Sequence, residues 1–337
     1  MRIRIIETWS WFVVLAGVLA TSVSTQPLAA QDELPGVSLG LVYANTYLPA
    51  LAVQPFVGGF GGDMIASQVE AIVGRDLRNS DQFEVIDSLP DAMVGSQVDY
   101  PLWDRLGAVW LVTGEIEVSG DGYMLTIELH DVVYREVRDR GRFRLPSQDD
   151  DDFRMSVHRT SDEIVRWATG APGMAASRIA FTMVGNDGNK EVYVIDSDGE
   201  DLRQVTDYNS LTESPTWSPD GSRIAIASYK TGVPRIYEVD RFGNELSALP
   251  AVRGAGDYVT PAYHPDGSTI AFSVFGSNSQ SGIFTYDLAQ NCCLSFLSGG
   301  PWYDVSPTYS PDGRWLAFNT LRFGDAVPQV MMMPAEG

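Results

Sequence analysis

Cysteine, histidine and basic residues are scarce in this sequence of 337 residues. It contains two cysteines, three histidines, and 23 lysines and arginines against 44 aspartates and glutamates, so the formal net charge is −21. A surface this acidic repels phosphate backbones, which argues against nucleic acid as a partner. Proteins that carry basic patches of their own are the expected partners.

The few cysteines and histidines restrict the chemistry further. Cys292 and Cys293 are adjacent, so they cannot link distant parts of the fold, and we expect two free thiols. His130, His158 and His264 fall in a strand, a helix and a turn, without the spacing of a ligand set. The sequence therefore predicts no metal site, and its stability must come from a hydrophobic core.

Long hydrophobic runs are absent except near the start of the chain. Arg2 and Arg4 precede an apolar stretch from Trp11 to Ala20, which is too short to span a bilayer. Small residues follow, and Ala30 is a plausible cleavage position. The pattern predicts a removed signal peptide over residues 1–30 and an exported, extracytoplasmic protein, with a retained membrane anchor as the alternative.

Motifs for catalysis are also missing. The glycines around Gly59 and Gly61 suggest a dinucleotide loop, but Met64 stands where the third glycine belongs. The acidic run from Asp149 to Asp152 is better explained as a solvated helix start than as a calcium site. These patterns therefore indicate no catalytic, cofactor-binding or metal-binding residue.

A repeated turn dominates the second half of the chain. Pro-Asp-Gly triplets begin at Pro219, Pro265 and Pro311, each 46 residues after the last. Each triplet follows a short run with an aromatic residue and precedes an alternating run such as RIAIAS. Proline, aspartate and glycine are the residues that a tight hairpin turn requires at successive positions. Each unit therefore predicts a β-hairpin.

The repeating units continue with further strands, about four in 46 residues. This is typical of β-propeller blades, and a β-sandwich with coincidental turns is the alternative. A partial copy over residues 178–206 lacks the first strand, and the last copy ends after its third. We expect about four blades in residues 174–337, and an incomplete propeller rather than an unusually small ring.

The first third of the chain has a different pattern. Strands are expected at residues 39–45, 50–56 and 83–87, and a strand hairpin turns at 119–122. The apolar residues Ile65, Val69, Val73 and Leu77 are four apart, which predicts one buried face of a helix. A second helix is expected within residues 147–170, with Phe153, Val157, Ile164 and Ala168 on its buried side. Residues 31–170 therefore predict an α+β domain in front of the all-β propeller.

These features together resemble the TolB family. The resemblance is carried by DLRNSDQFEVID, PLWDRLGAVWLVTGEI, VSGDGYMLTIELHDV and HRTSDEIVRWATG, followed by the Pro-Asp-Gly repeats, and it covers residues 39–337. It implies a propeller of six blades, about four of which are present here, so the chain is expected to be truncated at its C-terminus. It also implies a protein without catalysis or cofactor.

The resemblance implies protein partners as well. TolB-like proteins bind the peptidoglycan-associated lipoprotein Pal on a propeller face, and the inner-membrane protein TolA through their N-terminal segment. The protein is then peripheral to the outer membrane through Pal, and supports envelope integrity and constriction at cell division. Two alternatives remain: the propeller of a truncated prolyl-oligopeptidase-like peptidase, and a carbohydrate-binding propeller.

The candidate partner-binding residues lie in the loops that lead into the first strand of each blade. These loops combine aromatic side chains with acids, as protein interfaces often do, although plain exposed turns would look similar. The predicted residues are Glu213, Ser214, Asp257, Tyr258, Val259, Thr260, Trp302, Val305 and Ser306.

Overall fold

The structure is a computed structural model that describes residues 47–59, 62–86, 97–185, 187–250, 256–276, 281–324 and 327–337. The predicted signal peptide and the strand expected at residues 39–45 lie outside the described residues. Tyr47 to Gly337 belong to one unit. Among the residues described, no helix has both the length and the apolar character needed to cross a bilayer.

The N-terminal domain combines one mixed sheet with three helices. Its strands are β1 (Ala50–Val53), β2 (Val57–Gly58), β3 (Glu84–Ile86), β4 (Trp110–Ser119), β5 (Gly122–Asp131) and β6 (Glu136–Leu145). Its helices are α1 (Asp63–Asn79), α2 (Tyr100–Arg105) and α3 (Phe153–Thr169).

This sheet contains both parallel and antiparallel strand pairs. Strand β1 lies between β3 and β4 and runs parallel to both, because α1 and α2 make the crossover connections. Strands β4, β5 and β6 then form an antiparallel meander, in which β4 and β5 are joined by the predicted turn at residues 119–122. Strand β6 ends the sheet order.

Helices α1 and α3 pack on one face of the sheet. The predicted apolar stripe of α1 is buried, with Ile65, Val69, Val73 and Leu77 all in the main core. Helix α3 ends where Gly170 adopts a positive φ of 78°, a backbone conformation that favours glycine. The periodicity therefore predicted both helices and their buried faces correctly.

The second half of the described chain consists of strands. They are β7 (Arg178–Val184), β8 (Lys190–Asp196), β9 (Arg203–Gln204), β10 (Thr212–Trp217), β11 (Ile224–Ser228), β12 (Arg235–Val239), β13 (Glu245–Ala248), β14 (Asp257–Tyr263), β15 (Thr269–Phe275), β16 (Ser281–Asp287), β17 (Cys292–Ser298), β18 (Asp304–Tyr309), β19 (Trp315–Thr320) and β20 (Gln329–Pro334).

These strands form four antiparallel sheets in chain order, which we call blades I (β7–β9), II (β10–β13), III (β14–β17) and IV (β18–β20). Strand β7 and the first strands of the next three blades, β10, β14 and β18, pack beside one another in chain order. Apolar clusters fill the spaces between the blades. This arrangement confirms the predicted fold, an α+β domain followed by a β-propeller of which about four blades are present.

The Pro-Asp-Gly turns join the first two strands of blades II, III and IV. Gly221, Gly267 and Gly313 have φ values of 68°, 74° and 71°, which side chains with a Cβ rarely adopt. In blade II, Asp220 Oδ1 accepts hydrogen bonds from the Ser218 hydroxyl at 2.6 Å and from the Ser222 amide at 3.1 Å. The turn recurs because every blade needs this tight reversal at the same end.

The N-terminal domain contacts the propeller at the end of the blades that carries the Pro-Asp-Gly turns. Asp152 accepts a hydrogen bond from Arg241, in the turn after β12, at 2.8 Å, and Asp151 pairs with Arg203 of β9 at 2.8 Å. The acidic run therefore forms part of the domain contact, so the prediction of a merely solvated helix start was wrong. Opposite charges on distant segments explain the difference.

The two cysteines also differ from expectation. Cys292 and Cys293 are bonded to each other at the start of β17, so the prediction of two free thiols was wrong. Their Cα atoms lie 3.8 Å apart, as neighbours in the chain must, and the bond links no distant segments. The core remains the source of stability.

Candidate partner-binding face

The first strands of blades II, III and IV share an unusual feature near their beginnings. Ser214, Thr260 and Ser306 have φ values of 57°, 50° and 56°, in the left-handed region that such residues seldom occupy. In each strand the pairing register shifts at this residue, which marks a β-bulge. Such strained positions persist where the surroundings enforce them, and they cluster at functional sites.

These three residues form what we call the loop face, together with the segments 209–214, 256–260 and 302–306. The loop face lies at the end of the blades opposite the Pro-Asp-Gly turns, because each first strand begins in one of these segments and ends in a turn. The described residues of the N-terminal domain contact the turn end of the blades.

A buried hydroxyl joins two of the bulges across neighbouring blades. Ser273 of β15 is fully buried, and its Oγ lies 2.7 Å from Thr260 Oγ1 of the same blade. The same oxygen accepts a hydrogen bond from the Ser306 amide of blade IV at 3.0 Å. Ser273 thus fixes the loops of blades III and IV relative to each other.

The acidic side chains of the loop face lie close to one tyrosine. Burial raises the pKa of Tyr229, and the negative charges of Asp257 and Glu213 raise it further. The carboxylates of blades II and III therefore share one patch around this phenol. Glu213 also pairs with Lys190 of blade I at 3.4 Å, across partly exposed side chains. Glu213, Tyr229 and Asp257 are all partly exposed.

Exposed aromatic side chains complete the loop face on blade IV. Trp302 and Tyr303 are 39% and 38% exposed, a large apolar area for residues at the surface of a monomer. The Tyr303 ring lies 5.5 Å from the Phe275 ring, and the Trp302 carbonyl accepts a hydrogen bond from the Ser281 amide at 3.3 Å. Both aromatics are therefore held against blade III.

Tyr258 has a different role from the one that we predicted. It is 1% exposed, its ring lies 4.9 Å from the Phe272 ring, and the Arg235 guanidinium sits 5.0 Å above it. A side chain buried in this way presents no surface to a partner, so its prediction as a contact residue is corrected to that of a core residue. Its amide donates to Pro234 O of blade II at 3.2 Å.

The other predicted residues lie at the loop face. Glu213, Ser214, Asp257, Val259, Thr260 and Val305 are partly buried, and Ser306 is exposed. Contact of any of them with a partner remains a prediction.

Three residues of the face escaped the sequence prediction. Tyr229, Tyr303 and Ser273 were not among the predicted residues, although the 46-residue repeat could have identified Tyr229. Tyr229, Phe275 and Leu321 occupy one position of the repeat, at the end of the second strand, and all three have large side chains. Ser273 carried no such signal, because the equivalent positions hold alanine and asparagine.

A buried acid in blade IV stabilises the loop face through hydrogen bonds. Asp304 is fully buried at the start of β18 and accepts hydrogen bonds from Ser298 Oγ at 2.7 Å and Thr320 Oγ1 at 2.6 Å, and from Arg322. Burial favours the neutral acid, but these hydrogen bonds outweigh it and lower the pKa of Asp304. The ionised carboxylate ties blade IV to the last strand of blade III.

A second charged cluster lies between the N-terminal domain and blade I. Asp76, His158 and Asp198 bring three possible metal ligands within 4.8 Å of one another. Basic side chains already pair with both acids, since Asp198 binds Arg154 and Arg75, and Asp76 binds His158 at 2.8 Å. Because cationic side chains neutralise these carboxylates, the cluster is an ion-pair network that offers little attraction to a metal ion.

Fold and site together define a β-propeller protein with an α+β domain in front and a solvent-facing loop face at one end of its blades. Family models agree with this description. The TolB beta propeller domain matches residues 165–337, and the TolB amino-terminal domain matches residues 42–137. The chain therefore belongs to the TolB family.

Individual relatives point the same way. The chain is 32% identical over 301 residues to the Tol-Pal system protein TolB of Anaeromyxobacter sp. (strain K), an alignment that covers 86% of this chain and 65% of the relative. It is 30% identical over 250 residues to that of Jannaschia sp. (strain CCS1), which covers 68% of this chain and 55% of the relative. The chain thus spans a little over half to two thirds of their length.

A solved structure is also similar. TolB from Acinetobacter baumannii superposes with a TM-score of 0.69 at 25% identity, over 86% of this chain and 69% of that chain. The shared order of an α+β domain and propeller blades supports the family assignment.

Proposed function

We propose that the protein is a periplasmic docking component of the Tol-Pal envelope system and catalyses no reaction. Its family membership and the name of its relatives, Tol-Pal system protein TolB, support this proposal. The peptidase alternative has less support, because matches to TolB cover both the propeller and the N-terminal domain.

In this proposal the loop face binds a Pal-like lipoprotein. The observation that carries it is the recurrence of a left-handed residue and a bulge at one position of three successive blades. Backbone strain of this kind costs about 1–3 kcal/mol at each residue. The repetition of this strain on one exposed end of three blades supports a functional use for the shape that results.

The chemistry of the face suits a protein ligand. Trp302 and Tyr303 supply the exposed aromatic area that commonly anchors interfaces. Glu213 and Asp257 supply negative charge, which would attract a basic patch on the lipoprotein and speed the encounter. Ser273 holds the loops of blades III and IV in place beforehand, which lowers the ordering cost of binding.

The second partner is proposed to be TolA, bound by the segment that follows residue 30. An extended N-terminal segment can add to the sheet edge of a partner. This segment lies outside the described residues, so the proposal rests on family resemblance. Removal of a signal peptide at residues 1–30, an N-terminal domain of 31–170 and a propeller from 174 are part of the same proposal.

Through Pal the protein would sit at the inner side of the outer membrane without spanning it. Binding Pal and TolA in this position would let the protein support outer-membrane integrity and constriction at cell division.

A binding measurement with two variants tests the loop face. We expect Asp257→Lys and Trp302→Ala each to weaken capture of the purified soluble domain of a Pal lipoprotein by about tenfold or more, since hot-spot truncations commonly cost more than 1 kcal/mol. Asp266→Lys is the matched control, because Asp266 lies in the same blade as Asp257 but in the turn at the opposite end.

The control separates a local effect from a general change in charge. Equal affinity of Asp257→Lys, Trp302→Ala and the unchanged protein would reject the loop face as the binding site. Equal weakening by Asp257→Lys and Asp266→Lys would show that net charge alone governs binding, and would reject it as well.

A further inference from the structure

The N-terminal domain carries a row of arginines that the proposed function does not use. Five of the 23 basic residues of the chain lie between Arg135 and Arg144. Arg140, Arg142 and Arg144 of β6 pair with Glu128, Thr126 and Met124 of β5. Because Leu125 and Ile127 of β5 face the helices, these three arginines project from the other face of the sheet. We call them the arginine row.

The arginine row lies on an edge strand. Strand β6 has ten residues and pairs only with β5 among the residues that the structure describes. Every second residue of β6 therefore directs its backbone amide and carbonyl away from β5. An edge of this length is a template for another strand unless something prevents pairing.

Charge restricts what can pair with this edge. A second copy of the chain would place one arginine row beside another, and like charges on adjoining strands are destabilising. Successive arginines of the row lie two residues apart, about 7 Å along the strand, which is also the spacing of alternate side chains in an added strand. An extended segment with acids at alternate positions matches both the backbone and the charges.

The middle arginine is free to meet such a segment. Arg140 is 62% exposed and pairs with Glu128, and Arg144 is 71% exposed and pairs with Asp121 at 3.1 Å. Arg142 is exposed, and its side chain makes no hydrogen bond or ion pair with any residue in the described parts of the chain. Acidic residues far outnumber basic ones in this protein, whose net charge is −21. Arg142 nevertheless has no acidic partner among the described residues, so its guanidinium can pair with a carboxylate of another protein.

We propose that β6 is a second docking site, at which an extended acidic segment of another protein adds as a strand and pairs its alternate carboxylates with the arginine row. Backbone hydrogen bonds give the affinity, and the arginines select the charge. This site belongs to the N-terminal domain and is independent of the loop face.

A peptide titration tests the proposal. The probe is a fluorescein-labelled peptide as long as β6, with alternating glutamate and threonine, added to the full chain at low salt. We expect saturable binding, weakened about tenfold by Arg142→Glu, because an opposite-charge pair becomes a like-charge pair. Arg105→Glu is the matched control, since it makes the same charge change at an exposed residue of α2.

Two further measurements separate strand addition from attraction of any polyanion. The same peptide with proline at its centre should bind much more weakly, because proline cannot donate to a ladder. Amide hydrogen exchange should slow in β6 when the alternating peptide is added. These two results and the Arg142→Glu effect together support the proposal.

Several outcomes would overturn it. Absence of binding would mean that the arginines only guard the edge against aggregation. Equal binding of the proline peptide, or equal weakening by Arg142→Glu and Arg105→Glu, would mean general electrostatic attraction. Binding that appears only after residues 31–46 are deleted would mean that the chain's own N-terminal segment occupies the edge.

Discussion

The buried histidine between the two domains should make the stability of the protein depend on pH above neutrality. His158 of α3 is fully buried, and its Nδ1 lies 2.8 Å from Asp76 Oδ2 of α1. Its Nε2 lies 3.7 Å from Asp196 Oδ2 of blade I, close enough for attraction but too far for a hydrogen bond. A protonated imidazolium would therefore hold both domains.

The magnitude follows from the pKa of this histidine. Burial alone would lower its pKa, but the carboxylates of Asp196, Asp76 and Asp198 outweigh burial and raise the pKa of His158 from 6.5 to about 9. A shift of this size corresponds to about 3 kcal/mol. Because the folded state holds the proton more tightly, this stability is fully present below pH 6.5 and is lost as pH rises through 9.

Urea unfolding at several pH values between 7 and 9 measures the effect. The free energy of unfolding should fall by up to about 1.4 kcal/mol per pH unit in this window. Measurements above pH 7 avoid the opposite contribution of His130, whose pKa burial lowers. His158→Gln should remove the slope, whereas His264→Gln, in a turn of blade III, should leave it in place.

Two results would refute this reasoning. One is a free energy of unfolding of the unchanged protein that stays constant from pH 7 to 9. The other is an equal slope in the unchanged protein and in His158→Gln, which would place the titrating group elsewhere.

Four further substitutions have expected effects on the free energy of unfolding, each measurable by urea denaturation. Ser273→Ala should cost about 1–3 kcal/mol, because two polar groups lose their partner, and an unchanged midpoint would contradict the link between blades. Asp304→Asn should cost about 2–3 kcal/mol by weakening a buried ion pair. Gly114→Ala should cost about 1–3 kcal/mol, since the new Cβ would lie 2.6 Å from the Phe56 ring. Gly74→Ala, in open space on α1, should be neutral or stabilising. A larger loss of stability in Gly74→Ala than in Gly114→Ala would contradict the close packing of Gly114 against Phe56.

Local patterns in the sequence predicted most of the fold. The 46-residue period located the hairpins of blades II, III and IV, because proline, aspartate and glycine each satisfy one backbone requirement of the turn. The spacing of Ile65, Val69, Val73 and Leu77 predicted the buried face of α1, since residues four apart share a helix face.

Contacts between distant segments were beyond such patterns. The acids Asp151 and Asp152 looked solvated because their arginine partners lie in blades I and II, far along the chain. His158 carried no signal of its buried role for the same reason.

At the candidate site the sequence predicted which loops form the face. It predicted less well which of their residues are exposed and which backbone conformations they adopt. Tyr258 falls one position inside the strand, where alternation turns its side chain into the core, and strand boundaries are the least certain part of a prediction. The left-handed conformation of Ser214, Thr260 and Ser306 had no signal either, because glycine is the residue expected there.

The most direct test of the proposed docking role is a hydrogen-exchange footprint of a bound Pal lipoprotein domain on this protein. We expect slower amide exchange in segments 209–214, 256–260 and 302–306, with no change in the turns at Asp220, Asp266 and Asp312. Slower exchange confined to those three turns, with the loop face unaffected, would contradict it.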